Sequence, residues 1–254
     1  MVDSHAHLQH ESFEDDLAAV LDRARAAGLT RILVPGWDRP SSEAALALSA
    51  AHPDLLDAAV GIHPHFVGSA AEADWAALES LAADPRCRAV GEIGLDFYRN
   101  LSPPDAQREG LARQLGLAGT TGKPVLVHDR DAHAEVTDAL VNWAAAGVRS
   151  APGILHCFSG DADMAERLVA VGYRISFALP LTFGKNLGPR AAAAALPADA
   201  LLVETDSPYL GGAAERRNEP TTTLRVAAEL AKLRGEAVSA VAAGVARNYH
   251  SVLG

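Results

Sequence analysis

Eight short apolar runs alternate with helix-period stretches from one end of the chain to the other, and this alternation restricts the fold more than any other feature. The runs are residues 1–2, 31–34, 58–62, 89–93, 125–127, 153–155, 173–177 and 201–203. Several are β-branched, and most end in a polar, Gly or Pro residue, the pattern of strands buried on both faces. Between them lie amphipathic stretches. Phe13, Leu17, Val20, Leu21 and Ala24 fall at i, i+4, i+7, i+8 and i+11, and Met164, Leu168, Val171 and then Val226, Leu230, Leu233 repeat the spacing. Gly28, Gly122, Gly147 and Gly172 stand where helices should end before a strand. Eight strands, each followed by a helix, predict a TIM-like (β/α)8 barrel, because an open sheet would leave a hydrophobic edge. A doubly wound sheet is the alternative. The length of 254 residues suits one barrel, and no linker, low-complexity segment or composition shift interrupts it, so residues 1–254 are read as a single domain.

In a parallel barrel the side chains at the C-terminal ends of the strands converge on one mouth. Six candidate metal ligands stand there: His5 and His7 after the first run, Glu92 at the fourth, His128 at the fifth, His156 at the sixth and Asp206 after the eighth. His5 and His7 are two apart, so in extended chain both imidazoles point the same way. A lone histidine at a strand end is ordinarily structural or solvated. Six imidazoles and carboxylates gathered in one mouth would be costly without a counter-ion, and metal removes that cost. Four histidines and two carboxylates exceed the needs of one ion that keeps a water position open, so two divalent ions are expected. The simplest division gives His5, His7 and Asp206 to one ion and His128 and His156 to the other, with Glu92 bridging. Imidazole-rich ligation favours Zn, Mn, Fe or Co, while the carboxylates leave Mg usable.

Six blocks along the chain carry a family resemblance. They are Asp3-Ser4-His5-Ala6-His7, Gly61-Ile62-His63-Pro64-His65, Gly91-Glu92-Ile93-Gly94-Leu95-Asp96, His128-Asp129-Arg130-Asp131-Ala132, Leu155-His156-Cys157-Phe158-Ser159-Gly160 and Glu204-Thr205-Asp206-Ser207-Pro208-Tyr209-Leu210. In content and order they resemble the TatD family of amidohydrolase-type barrels. The resemblance implies a metal-dependent deoxyribonuclease, a 3′–5′ exonuclease with DNA as its substrate, cleaving phosphodiester bonds with hydroxide generated at two metal ions. It also implies that Glu92 replaces the carboxylated lysine of related superfamilies. The chain departs from the pattern at Ala6 and Asp129, neither a ligand position, and in the stretch 211–217, which is shortened before Asn218-Glu219-Pro220.

Other residues divide between chemistry and structure. His63 and His65 are read as catalytic, contacting phosphate or protonating a leaving oxygen, with loop support as the plain alternative. Asp206 is expected to accept a proton from the attacking water. Arg99 and Arg130 suit phosphate clamping or a solvated surface. Glu204 suits an orienting role beneath a ligand, and Phe97 and Tyr98 suit base stacking or simple packing. His10, His52, His133 and His250 are read as surface residues, Asn248 and Tyr249 as fixing the last helix, and Cys87 and Cys157 as buried free thiols. The net charge of −10, 22 basic against 32 acidic residues, excludes a protein that coats DNA electrostatically, and suits single-stranded or frayed 3′ ends. No leader or membrane span is visible, so a cytoplasmic location is expected, with no membrane association and no obligate protein partner. The same ligand set would also serve an amidohydrolase, an esterase or a lactonase, including one acting on an acyl ester of tRNA. A non-catalytic scaffold would need a broken ligand set.

Overall fold

All eight expected strands form: β1 (Val2–Asp3), β2 (Arg31–Pro35), β3 (Leu56–Val60), β4 (Cys87–Asp96), β5 (Val125–Arg130), β6 (Gly153–Leu155), β7 (Arg174–Phe177) and β8 (Leu201–Val203). The computed structural model describes residues 1–147, 152–212 and 217–254. The strands pair in parallel and in sequence order, forming one eight-stranded sheet. The seam between β8 and β1 closes through Ser4 N–H to Val203 O (3.1 Å), Asp206 N–H to His5 O (2.9 Å) and His7 N–H to Ser207 O (2.6 Å). Three candidate ligands therefore ride on the backbone that closes the barrel.

Helices α1 (Leu17–Ala26), α2 (Arg39–Ala51), α3 (Glu72–Ala82), α4 (Pro104–Thr121), α5 (His133–Ala145), α6 (Ala162–Ala170) and α7 (Leu187–Ala195) fill the crossovers, and α8 (Thr223–Arg234) and α9 (Val238–Leu253) follow β8. Their buried faces are apolar, as with Val20, Leu21 and Ala24 in α1, and each large aliphatic side chain so buried contributes about 1.5–3 kcal/mol. Phe13 belongs not to α1 but to a separate 3-10 turn, Glu11–Phe13, where it is buried under the Arg217 guanidinium. Gly28, Gly122, Gly147 and Gly172 all have positive φ, as expected of residues that end helices. At the far end of the barrel Asn248 donates to Ala198 O and Leu201 O, and the Tyr249 hydroxyl donates to Asp57, which fixes α9.

β3 lies two residues earlier than expected, at Leu56–Val60 against 58–62, and the differences that bear on the site lie at the mouth. β4 and β5 run on to Asp96 and Arg130, so Glu92 and His128 sit inside their strands and not at the last residue. The β4–β5 register breaks between Val90 and Ile93, and Glu92 N–H there turns to Gly36 O at 2.8 Å. Two glycines permit this close approach. A Cβ at Gly91 would lie 2.5 Å from that of Leu126, and one at Gly94, whose φ is +143°, would run into the His128 carbonyl. Of the stretch 211–217, residues 213–216 lie outside the described residues, and with them the expected shortening. Among the described residues no helix is long and apolar enough to cross a membrane.

Candidate metal centre

The six predicted ligands meet at the C-terminal mouth, with Glu92 at their centre. Its Oε2 faces His5 Nε2 at 3.4 Å and His7 Nε2 at 3.6 Å, and Asp206 Oδ1 lies 3.6 Å from both imidazoles. Its Oε1 faces His128 Nδ1 at 3.1 Å and His156 Nε2 at 2.9 Å. One carboxylate thus presents one oxygen to each half of the ligand set. Three donor groups, His5 with His7 and Asp206, His5 with Glu92 and His156, and His63 with Glu92 and His128, each have their donor atoms within 4.8 Å of one another.

Which ring nitrogens carry protons follows from the oxygens outside the cluster. His7 Nδ1 lies 3.3 Å from Pro35 O, His156 Nδ1 3.1 Å from Glu204 Oε1, and His128 Nε2 3.3 Å from Asp96 Oδ2. Each of these oxygens can only accept, so the outward nitrogen donates, and it is the inward nitrogen that presents a lone pair once the ring is neutral. That is how proteins hold a ligating histidine in its tautomer and orientation. His5 Nδ1 is buried without a partner, and His5 stacks on His156 with ring centroids 3.9 Å apart. His5 Nε2 also faces His7 Nε2 at 3.0 Å, a contact in which the His5 tautomer with its proton on Nε2 donates to the His7 lone pair. The donor set fits divalent cations.

His63 is close but differently wired. Its Nδ1 accepts the His65 backbone N–H at 3.1 Å, so Nε2 carries the proton and donates to Glu92 Oε1 at 3.3 Å. Its lone pair is spent on the loop, which makes it a hydrogen-bond donor to the bridging carboxylate. His65 Nε2 donates to Asp96 Oδ2 at 2.7 Å, the oxygen that also holds His128. Asp96 itself is 1% exposed and is fixed by the backbone N–H of Arg99 and by Gln107. Its role was missed in the sequence, although its spacing of four from Glu92 put both on one strand face.

Burial and charge act together on these groups. Burial alone would raise Glu92, but His63, His156 and His5 outweigh it and hold the carboxyl well below the usual range. Burial opposes protonation of His156 and His128, yet Glu92 with Glu204 raises the first well above normal, and Asp96 with Glu92 raises the second. Burial and the neighbouring His5 push His7 well down, and burial drops His63 to about 4. Burial pushes Asp206 up to about 6 against the pull of His5 and His156. Asp206 and Cys157 both adopt left-handed backbone, φ +58° and +44°, a conformation uncommon for residues other than glycine.

The remaining predicted residues are sorted by the same geometry. Arg130 lies 4.0 Å above the exposed Tyr98 ring, while Phe97 packs under Arg108. His133 is tied to the buried Asp129 at 2.7 Å, and His10 stands half-buried at the mouth between Trp37 and Tyr209, so neither is a plain surface residue. Both cysteines are free, Cys87 buried and Cys157 only half-buried.

A parallel barrel whose mouth gathers imidazoles around a central carboxylate is the architecture of metal-dependent hydrolases. The family model for TatD related DNase matches residues 2–254, and the chain belongs to that family. It is 36% identical over 236 residues, 92% of this chain and 91% of the relative, to an "uncharacterized metal-dependent hydrolase YabD" of Bacillus subtilis (strain 168). It is 37% identical over 241 residues, 92% of each, to the "3′-5′ ssDNA/RNA exonuclease TatD" of Edwardsiella piscicida. The crystal structure of YJJV, a TatD homolog from Escherichia coli K12, superposes with a TM-score of 0.92 at 31% identity, covering 100% of this chain and 97% of that one.

Proposed function

We propose that the chain is a 3′–5′ exonuclease that removes nucleotides from single-stranded or frayed DNA ends, with two divalent ions held by His5, His7, Glu92, His128, His156 and Asp206. The observation that carries the two-ion reading is the split of Glu92, one oxygen toward His5 and His7 and the other toward His128 and His156. Zn, Mn, Fe and Co suit this imidazole-rich set best, with Mg usable at high concentration. The substrate rests on the relatives, whose names join single-stranded DNA with RNA. The net charge of −10 adds that long duplex is repelled, leaving the ions and the mouth to grip a few phosphates.

Ions bound there would supply Lewis acidity at the phosphate and lower the pKa of the attacking water. The protein residues do the rest. Asp206, pushed up to about 6, is ionised at neutral pH and still basic enough to take a proton from that water. His63, dropped to about 4, stays neutral and serves by holding Glu92 through its Nε2–H. His65 would then be the donor to the leaving oxygen in its doubly protonated form, giving the Nδ1 proton while Nε2–H stays held by Asp96; Nδ1 has no protein partner among the described residues. Two free thiols are consistent with a reducing, cytoplasmic setting.

The test is a metal count joined to a variant. The wild type should hold close to two ions per chain after dialysis against Zn or Mn, and Glu92→Gln should hold one or fewer. A single ion in the wild type would refute the bridging role. Asp206→Asn should bind metal weakly and lose turnover by orders of magnitude, and near-normal turnover would rule out its part as base.

A further inference from the structure

Beside the half of the site formed by His5, His7 and Asp206, four rings pack in a closed circuit. Trp37 meets His7 edge-on at 5.2 Å between centroids, His7 meets Tyr209 at 5.8 Å, Tyr209 meets His10 at 5.7 Å, and His10 meets Trp37 at 6.3 Å. They come from three separate places on the rim: the segment after β1, the end of β2 and the turn after β8. His7 is buried, His10 and Trp37 are half-buried, and Tyr209 is 51% exposed. The chain has only three tryptophans and four tyrosines, so two of these seven rings stand against one candidate ligand.

Packing alone does not require this arrangement. Tyr209 leaves half its surface in water, and its hydroxyl has no protein partner among the described residues. His10 is pinned, because its Nδ1 accepts the Ser12 backbone N–H at 3.1 Å. Its proton therefore sits on Nε2, a donor that likewise has no protein partner among the described residues. A rigid, partly wet set of ring faces with two unspent donors matches the chemistry of a planar heteroaromatic base, which stacks on its faces and accepts at its edge. A mobile or purely aliphatic ligand would use neither property.

We propose that Trp37, Tyr209 and His10 form the subsite for the base of the terminal nucleotide, stacking it on Trp37 or Tyr209 and meeting its edge with His10 Nε2–H and the Tyr209 hydroxyl. The proposal rests on the nuclease reading and deepens it, since it says how a site whose ions grip only phosphate would seat the nucleotide to be removed. Specificity for a base follows from this set of rings and not from the ligands, which touch only the reacting group.

The experiment compares metal-loaded wild type with Trp37→Ala, Tyr209→Ala and His10→Ala on single strands ending in a normal or an abasic 3′ nucleotide. Removing one stacking ring should lower the ratio of kcat/KM on the normal to the abasic end by roughly 5- to 150-fold, mostly through KM. Tyr209→Phe should restore stacking and lose only the edge contact. Equal losses on both ends would overturn the subsite and leave a structural role. A second readout needs no turnover: dTMP should quench the wild-type tryptophan fluorescence saturably, deoxyribose 5-phosphate should not, and Trp37→Phe should abolish the dTMP effect. If the wild type cleaves no nucleic acid, the nuclease reading fails and the fluorescence decides the subsite alone. Quenching equal with and without the base, or unchanged in Trp37→Phe, overturns it.

Discussion

The orientation of His7, His128 and His156 depends in each case on an oxygen outside the cluster, and Asp96 and Glu204, whose side chains supply two of these oxygens, are the residues most open to test. Glu204 is fully buried, accepts from His156 Nδ1 and from the Cys157 N–H, and lies under the cluster with Ser4 and Ser176. Glu204→Gln keeps the shape but removes the charge that orients His156. Metal affinity, read by competition with a chromophoric chelator, should fall about 10- to 100-fold. The pH dependence has a definite sign. His128 and His156 have raised pKa values in the metal-free protein, so they hold protons that a metal must displace. Affinity should therefore rise as pH rises from 6 to 8, with protons released on binding, and calorimetry in two buffers of different ionisation enthalpy checks both. The candidate ligands were legible because they stand at or just after the apolar runs in a repeated pattern. Asp96 was not, because its partner His65 sits on another loop and only the fold brings them together. His10 looked like a surface residue for the same reason.

The elements were legible in number and order, less so in length. Apolar runs mark only the part of a strand that is buried on both faces. At the mouth β4 and β5 continue as polar sequence, Gly94-Leu95-Asp96 and His128-Asp129-Arg130, which reads as loop until the pairing of Gly94 with His128 is seen. The break after Val90 has no periodic signature at all, since it exists to turn Glu92 inward. Gly94→Ala tests this account of the element. Its φ of +143° is denied to alanine and the added methyl meets the His128 carbonyl, so stability should fall by at least about 1–3 kcal/mol in urea unfolding. The loss should carry metal affinity with it, because the same carbonyl belongs to a candidate ligand. An unchanged midpoint would mean that β4 and β5 are not held this close.

For the whole molecule, the site and the closure of the barrel share backbone: Ser4 to His7 pairs with Val203 to Ser207 across the seam. Metal bound as proposed by His5, His7 and Asp206 would therefore also tie the first strand to the last. Ligand present at about a thousand times its Kd stabilises the native state by about 4 kcal/mol, which for a chain of this length corresponds to roughly 8–16 °C in Tm. Stripping with a chelator should lower Tm on that scale, and adding metal back should restore it. The most direct measurement of the central claim is release of mononucleotide from a 3′-end-labelled single strand, with and without chelator, beside a panel of esters and lactones. The account predicts labelled mononucleotide in the presence of Mn or Zn, none after chelation, and recovery when metal is returned. Turnover of an ester or lactone with the DNA left intact would contradict it.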